Sequence, residues 1–151
     1  MSSISFTIII APLLYQEELA IFDKAKLNES KPPIKEKTIN PNVKTVNTKP
    51  EDVKYVIQTH LHLDHSGAIG HFPNATHITQ RLEYDYAFNP DWFSGPAYIR
   101  ADFDKPNIRW KFLQGKKTDF YDVYGDGVIK IIFTPGHTPG HQSVLVKLPK
   151  T

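Results

Sequence analysis

The sequence predicts a mixed α/β (α+β) fold in which sheets and helices form a layered sandwich. Apolar β-branched runs, typical of buried strands, occur between segments of helix-forming composition. Asn, Asp, Gly and Pro separate these segments, as they do at turns. The chain has 151 residues, of which 40% are hydrophobic and 23% charged. It is therefore long enough to form one soluble domain.

The N-terminal part, residues 1–49, is predicted to be a poorly defined segment of strand, helix and loop. The apolar run 8–14 predicts a buried strand that ends near Pro12. Residues 15–27 have helix-forming composition, and residues 28–50, rich in Lys, Pro, Asn and Thr, predict a long loop. So long a loop is unusual inside a compact domain, so we place a boundary after residue 49.

Residues 50–151 show more regular patterns and contain the residues that could bind metal or take part in catalysis. In chain order we expect a helical turn (50–52), a buried strand (55–57), a polar His-rich loop (59–70), a strand (76–79), a helix (81–88), an irregular aromatic region (89–119), a hairpin (121–133) and a last strand (142–148). The aromatic region contains both tryptophans. We interpret it as a long loop of the kind that often carries function.

Composition excludes several classes of protein. Eighteen Lys and Arg against sixteen Asp and Glu give a net charge of +2, too little to indicate nucleic-acid or anionic-membrane binding. The absence of cysteine excludes disulfides, thiolate nucleophiles and Cys-ligated zinc, so a transition-metal site must use His and carboxylate. The N-terminal apolar run is shorter than the ~20 residues of a membrane span and lacks a basic signal region. We expect a cytoplasmic protein.

Four potential metal ligands lie within six residues: His60, His62, Asp64 and His65. In an extended backbone, side chains two residues apart point the same way, so His60 and His62 can bind one ion. Such a pattern arises by chance in roughly one sequence in a thousand. We therefore interpret it as a metal site and not as a solvated His-rich loop.

The residues between these ligands have a different expected role. Leu61 and Leu63 alternate with the histidines and should point into the core. Asp64 and His65 follow where the chain turns, and Gly67 and Gly70 supply flexible backbone there. Asp64 and His65 can then face a second ion beside the first.

HLHLDH, followed by TPGHTPGHQS at 134–143, resembles the metallo-β-lactamase superfamily, and most closely its N-acyl-homoserine lactonase branch. The stretch ITQRLEY and the aromatic region are also similar to that branch, and the resemblance covers about residues 50–149. It implies a metallo-β-lactamase-like αββα sandwich, here partial, with two metals, usually Zn²⁺, at one edge. The implied substrate is a small-molecule lactone or ester.

The resemblance also implies roles for individual residues. His60, His62 and His137 would be the protein ligands of the first metal, and Asp64 and His65 would bind the second. A metal-bridging hydroxide would attack the lactone carbonyl, which the metals polarise. Asp64 is also the candidate for carrying a proton to the leaving oxygen.

The sequence departs from the family pattern in three ways. The family's bridging aspartate and last metal histidine follow the second motif, as does a tyrosine near the substrate carbonyl, whereas this sequence ends at Thr151. The expected Asp-Thr-Gly turn is replaced by Phe22-Asp23-Lys24, a poor match. We therefore expect a C-terminally truncated chain that holds one zinc ion firmly and a second weakly, because nearby dications repel.

Two alternative functions stay open on the sequence. One is a glyoxalase-II-like thioesterase, and the other is a truncated, inactive paralogue that binds metal without turnover. Cysteine's absence argues against lactamases with a Cys ligand, and Leu63 stands where di-iron members carry glutamate. A partial sandwich would expose apolar surface, which favours a homodimer.

The remaining candidates have structural explanations that compete with functional ones. Trp92, Phe93 and Tyr98, with Phe103 and Trp110, could line an acyl-chain pocket or form an ordinary aromatic core. We expect His141 to pack and hydrogen-bond and not to bind metal, and His71 and His77 to be surface or core residues. Asp122 and Asp126 flank a turn, and turn chemistry explains them.

Overall fold

Two β-sheets form the centre of the structure, a computed structural model that describes residues 7–11, 20–23, 49–116 and 120–147. The larger sheet has the strand order β2-β1-β3-β4-β5 and the smaller has the order β6-β7-β8. The strands of the larger sheet are β1 (Thr7–Ala11), β2 (Ala20–Asp23), β3 (Val53–Gln58), β4 (Thr76–Gln80) and β5 (Arg109–Leu113). Those of the smaller sheet are β6 (Phe120–Asp122), β7 (Ile129–Phe133) and β8 (Gln142–Val146).

In the described part of the chain, three short helices and two 3₁₀ turns lie between these strands. The helices are α1 (Leu63–Ser66), α2 (Arg81–Phe88) and α3 (Arg100–Phe103), and the turns are Pro50–Asp52 and Gly95–Ala97. Within the described ranges, none of the helices is both long and apolar enough to cross a bilayer.

The two sheets pack face to face through alternate residues of their strands. Ile57 and Ile78 are paired across β3 and β4, and both pack against Ile129 and Ile131 of β7. Because side chains alternate along a strand, Val56 and its partner His77 point to the other face of the larger sheet. That face packs against a helical layer, so the described residues form three layers of the predicted αββα sandwich.

Parallel pairing determines where the functional loops lie. In the larger sheet, β1, β3, β4 and β5 run parallel, and among its described strands only β2 is antiparallel to its neighbour. The carboxyl ends of β3 and β4 therefore meet at one edge of the sheet, the usual place for a ligand site in such sheets. The His-rich loop leaves β3 at this edge.

The N-terminal strands clarify one prediction and correct another. The predicted first strand is present as β1, which pairs with β3 in the same sheet. The helix predicted over residues 15–27 is wrong at Ala20–Asp23, which form β2 instead, because pairing with β1 outweighs helix propensity. The rest of that helix, and the loop 28–48, lie outside the described residues. The boundary after residue 49 stays a prediction.

A second correction concerns the aromatic region 89–119, which is not one long loop. It contains α3 and the edge strand β5, whose five residues pair with β4 throughout. The hairpin predicted around Asp126 is present: the Asp122 carboxylate accepts hydrogen bonds from the backbone N–H groups of Gly125 and Gly127. Turn chemistry thus explains both aspartates, as Asp126 likewise accepts from the N–H of Val128.

Candidate metal centre

Three imidazoles converge at the carboxyl edge of the larger sheet. The ring centroids of His60 and His62 are 4.6 Å apart, and that of His137 lies 4.7 Å from the first and 4.9 Å from the second. One nitrogen from each ring lies within 4.8 Å of the other two. Tetrahedral zinc needs nitrogens about 3.3 Å apart, so small side-chain adjustments would bring all three onto one ion.

The backbone of the His-rich loop explains how His60 and His62 come to share a face. The two histidines flank Leu61, which is fully buried in the helical layer as predicted. Leu63 was expected to be buried as well, but it is 44% exposed. The alternation ends because α1 begins at Leu63, so the helical turn carries this side chain outward.

A second group of potential ligands comprises His60, Asp64 and His65, whose ligand atoms also lie within 4.8 Å of one another. The His60 and His65 rings are 4.0 Å apart, and Nε2 of His65 lies 3.4 Å from a carboxylate oxygen of Asp64. Asp64 is exposed whereas His65 is buried. His60 thus belongs to both groups. Metal binding by either group stays a prediction.

The electrostatics of the cluster favour the neutral forms of His60 and His62. Burial, and then the proximity of His65 and the other histidines, lowers the pKa of His60 to about 2. Burial and the proximity of His137 also lower the pKa of His62, although Asp64 opposes this. Metal ligation needs the unprotonated ring. The donor set therefore fits a divalent ion that prefers nitrogen ligands, such as zinc.

Glu83 is a residue at this site that the sequence analysis missed. It lies in the first turn of α2, where a glutamate is ordinarily exposed, yet it is fully buried. Its Oε1 accepts hydrogen bonds from the N–H of Leu61 (2.9 Å) and the hydroxyl of Tyr98 (3.2 Å). Its Oε2 accepts one from Oγ1 of Thr138 (2.5 Å). No local pattern could reveal these contacts, because the partners are distant in sequence.

His141, His71 and His77 are the histidines that were not expected to bind metal. Nδ1 of His141 lies 3.0 Å from Oγ1 and 3.2 Å from the carbonyl oxygen of Thr134, in line with the packing and hydrogen-bonding role expected of it. Its ring is 5.3 Å from that of His60 and 6.0 Å from that of His137. His77 is a buried residue and His71 an exposed one.

The aromatic residues suggested for a substrate pocket differ in their surroundings and exposure. Tyr98 packs against His62 with ring centroids 4.7 Å apart. Trp92 and Phe93 contact each other, but they are 90% and 66% exposed. Phe103 is part of the buried core of the helical layer, so the core interpretation holds for it. A substrate pocket lined by Tyr98, Trp92 and Phe93 stays a prediction.

Comparisons with known proteins agree on one family. The model of the metallo-β-lactamase superfamily matches residues 27–151. The N-acyl homoserine lactonase AttM of Rhizobium radiobacter is 66% identical over 109 residues, 72% of this chain and 41% of the relative. The N-acyl homoserine lactonase of Bacillus cereus is 38% identical over 109 residues, 72% of this chain and 39% of the relative.

A solved structure shares the fold as well. An N-acyl homoserine lactone hydrolase with its product N-hexanoyl-L-homoserine at the catalytic metal centre aligns with a TM-score of 0.57 and 34% identity. The alignment covers 70% of this chain and 37% of that one. This chain thus spans about two fifths of the length of the lactonases it matches. With the family model covering most of its residues and the sandwich layers in place, the chain belongs to the metallo-β-lactamase superfamily.

Proposed function

We propose that this chain provides the metal-binding part of a hydrolase that opens the ring of N-acyl-homoserine lactones. The observation that carries the proposal is the convergence of His60, His62 and His137 beside Asp64 and His65. The relatives named as lactonases support the substrate class. A small-molecule substrate also agrees with a net charge of only +2.

Zinc is the metal that the donor set supports best. His60, His62 and His137 would hold one ion, and Asp64 and His65 would hold a second. A bound zinc ion supplies Lewis-acid polarisation of a carbonyl oxygen and lowers the pKa of a water ligand to about 7, so hydroxide is present at neutral pH.

The exposure of individual side chains supports a direction of substrate approach and a route for the proton. His137 and Asp64 are exposed and His60 is buried, so a lactone approaches from the side of the first two. The exposed carboxylate of Asp64 would carry a proton to the leaving ring oxygen. Tyr98 covers one side of His62, and burial, reinforced by Glu83, raises the pKa of its hydroxyl. Tyr98 therefore stays a hydrogen-bond donor at neutral pH.

The test measures zinc content and substrate preference on the same sample. Zinc should bind to the wild-type chain and be lost when His60, His62 and His137 are replaced together by alanine. Opening of N-hexanoyl-homoserine lactone, with S-lactoylglutathione as the competing substrate, checks the reaction class. A chain without zinc affinity, or one that prefers the thioester, would contradict the proposal. Cytoplasmic location and homodimer formation stay predictions.

A further inference from the structure

The candidate metal site is assembled from two separate loops. His60 and His62 follow β3, whereas His137 lies between β7 and β8. The rings must approach within a few ångströms to share an ion, so the positions of the two loops relative to each other decide whether the third ligand takes part.

Glu83 is hydrogen-bonded to both loops at once. It accepts the N–H of Leu61, the residue between His60 and His62, and the hydroxyl of Thr138, the residue after His137. The two bonds use different oxygens of one carboxylate and join segments 22 and 55 residues away from it. A single side chain thus bridges the backbone of one metal-binding loop and a side chain of the other.

We infer that Glu83 is a positioning residue that holds His137 in register with His60 and His62. The inference rests on the proposed zinc site. It does not make Glu83 a ligand, since its oxygens are occupied by Leu61, Tyr98 and Thr138.

The surroundings of Glu83 leave this bridge little freedom to move. Glu83 is fully buried and Thr138 is buried beside it, so the bonds form away from water, where losing one is expensive. The second loop is the one between β7 and β8 that carries His137. A Cβ at position 140 in this loop would overlap the backbone of Glu83, so the second loop is packed closely against α2. The same carboxylate also accepts from Tyr98, whose ring packs on His62.

The inference predicts how variants at Glu83 affect zinc affinity. Glu83→Leu keeps the bulk of the side chain but removes every acceptor, and zinc should bind about 10- to 100-fold more weakly, the usual effect of losing a partner that orients metal ligands. Glu83→Gln can still accept from Leu61 while its amide donates to the Thr138 hydroxyl, so it should recover most of the affinity. Asp85→Asn is the matched control, because it removes one negative charge from the exposed face of the same helix.

The decisive experiment is a double-mutant cycle with His137. In the wild-type background, His137→Ala should weaken zinc binding strongly. In the Glu83→Leu background the same substitution should weaken zinc binding by a clearly smaller factor, because His137 is already partly displaced. Cobalt substitution gives a second readout, since the visible spectrum of Co²⁺ changes when a nitrogen ligand leaves. Thr138→Val, which breaks the bridge on one side only, gives the same test if Glu83→Leu does not fold.

The outcomes separate this inference from the proposed function. Additive losses at positions 83 and 137, or an unchanged cobalt spectrum in the Glu83→Leu and Thr138→Val variants, would overturn the positioning role while leaving the zinc site intact. Failure of the wild-type chain to bind zinc would overturn the proposed function and this inference together.

Discussion

Gln80 and Gln142 join the two sheets directly beside the histidine cluster: Nε2 of Gln80 donates to Oε1 of Gln142 over 2.7 Å, and both side chains are buried. The amide of Gln142 in turn donates to the carbonyl oxygens of Gln58 and Ile78. Its backbone N–H donates to the carbonyl of Thr59, the residue before His60. One glutamine at the start of β8 thus ties the second loop to the ends of β3 and β4.

Gln142→Leu should destabilise the fold, because it leaves several buried polar groups without partners. Each such group costs about 1–3 kcal/mol, so we expect the free energy of unfolding to fall by at least about 2 kcal/mol, measured by urea denaturation. Gln114→Leu, at an exposed position, is the control and should change stability little. Equal effects of the two substitutions would contradict this role for Gln142.

The contrast between the HLHLDH motif and residues such as Glu83 shows what the sequence could predict. His60 and His62 were identifiable because their chemistry depends on a local spacing that a strand exit places on one face. Glu83 and Gln142 were not identifiable, because their partners are 15 to 84 residues away. Their importance arises only when β3, α2 and the second loop meet.

The predictions that were wrong, at β2 and β5, have related causes. β2 has helix-forming composition and becomes a strand because β1 offers it a pairing partner. β5 alternates charged and apolar residues over only its first four positions, a signal too short to stand out among the surrounding aromatics. In contrast, β3 was predictable from its apolar run at 55–57, and β4 from the β-branched residues Thr76, Ile78 and Thr79.

His77 should make the protein less stable in mild acid. It is buried, and neither ring nitrogen has a hydrogen-bond partner in the part of the chain that the structure describes. Burial, and secondarily Lys105, lowers its pKa from 6.5 to about 4. The unfolded chain therefore takes up a proton below pH 6.5 that the folded chain does not take up until about pH 4. The contribution of His77 to the free energy of unfolding is therefore largest above pH 6.5, and it is lost as the pH falls to about 4.

The size of this effect is roughly 3 kcal/mol at most for one group shifted this far. Denaturation of the metal-free chain between pH 7 and 4 measures it, with His77→Phe as the test variant; a neighbouring cavity of about 280 Å³, partly lined by His77, gives the larger ring room. The variant should lose stability less steeply on acidification than the wild type. Parallel curves for the two proteins would refute the assignment, and His71→Gln, at an exposed position, is the control.

His60 should matter more for metal binding than any other ligand. It is shared by the group with His62 and His137 and by the group with Asp64 and His65. His60→Ala should therefore lower the zinc affinity of both sites. The loss should exceed the roughly 100-fold that follows from removing a residue that only orients a ligand. Asp64→Ala should remove only the weaker binding event. Calorimetric zinc titration distinguishes the two, and a variant lacking His60 that still binds its first zinc normally would rule out the shared role.

Two glycines of the second loop give a final pair of variants. Gly140→Ala should be strongly destabilising, because its Cβ would overlap the backbone N and Cα of Glu83, and overpacking of this kind costs about 1–3 kcal/mol or more. The backbone of α2 would have to move, and with it the carboxylate that bridges the two loops. Gly136→Ala lies in the same loop beside His137, but its Cβ would meet nothing within 4 Å.

The comparison isolates the packing of the loop against α2 from any general effect of adding a methyl group. Thermal unfolding of the metal-free chains should show Gly136→Ala close to the wild type and Gly140→Ala well below it. Zinc affinity should follow the same order, because only Gly140→Ala displaces Glu83. If alanine at 140 were tolerated as well as alanine at 136, the close contact between the second loop and α2 would be wrong, and the bridge through Glu83 would have no fixed geometry.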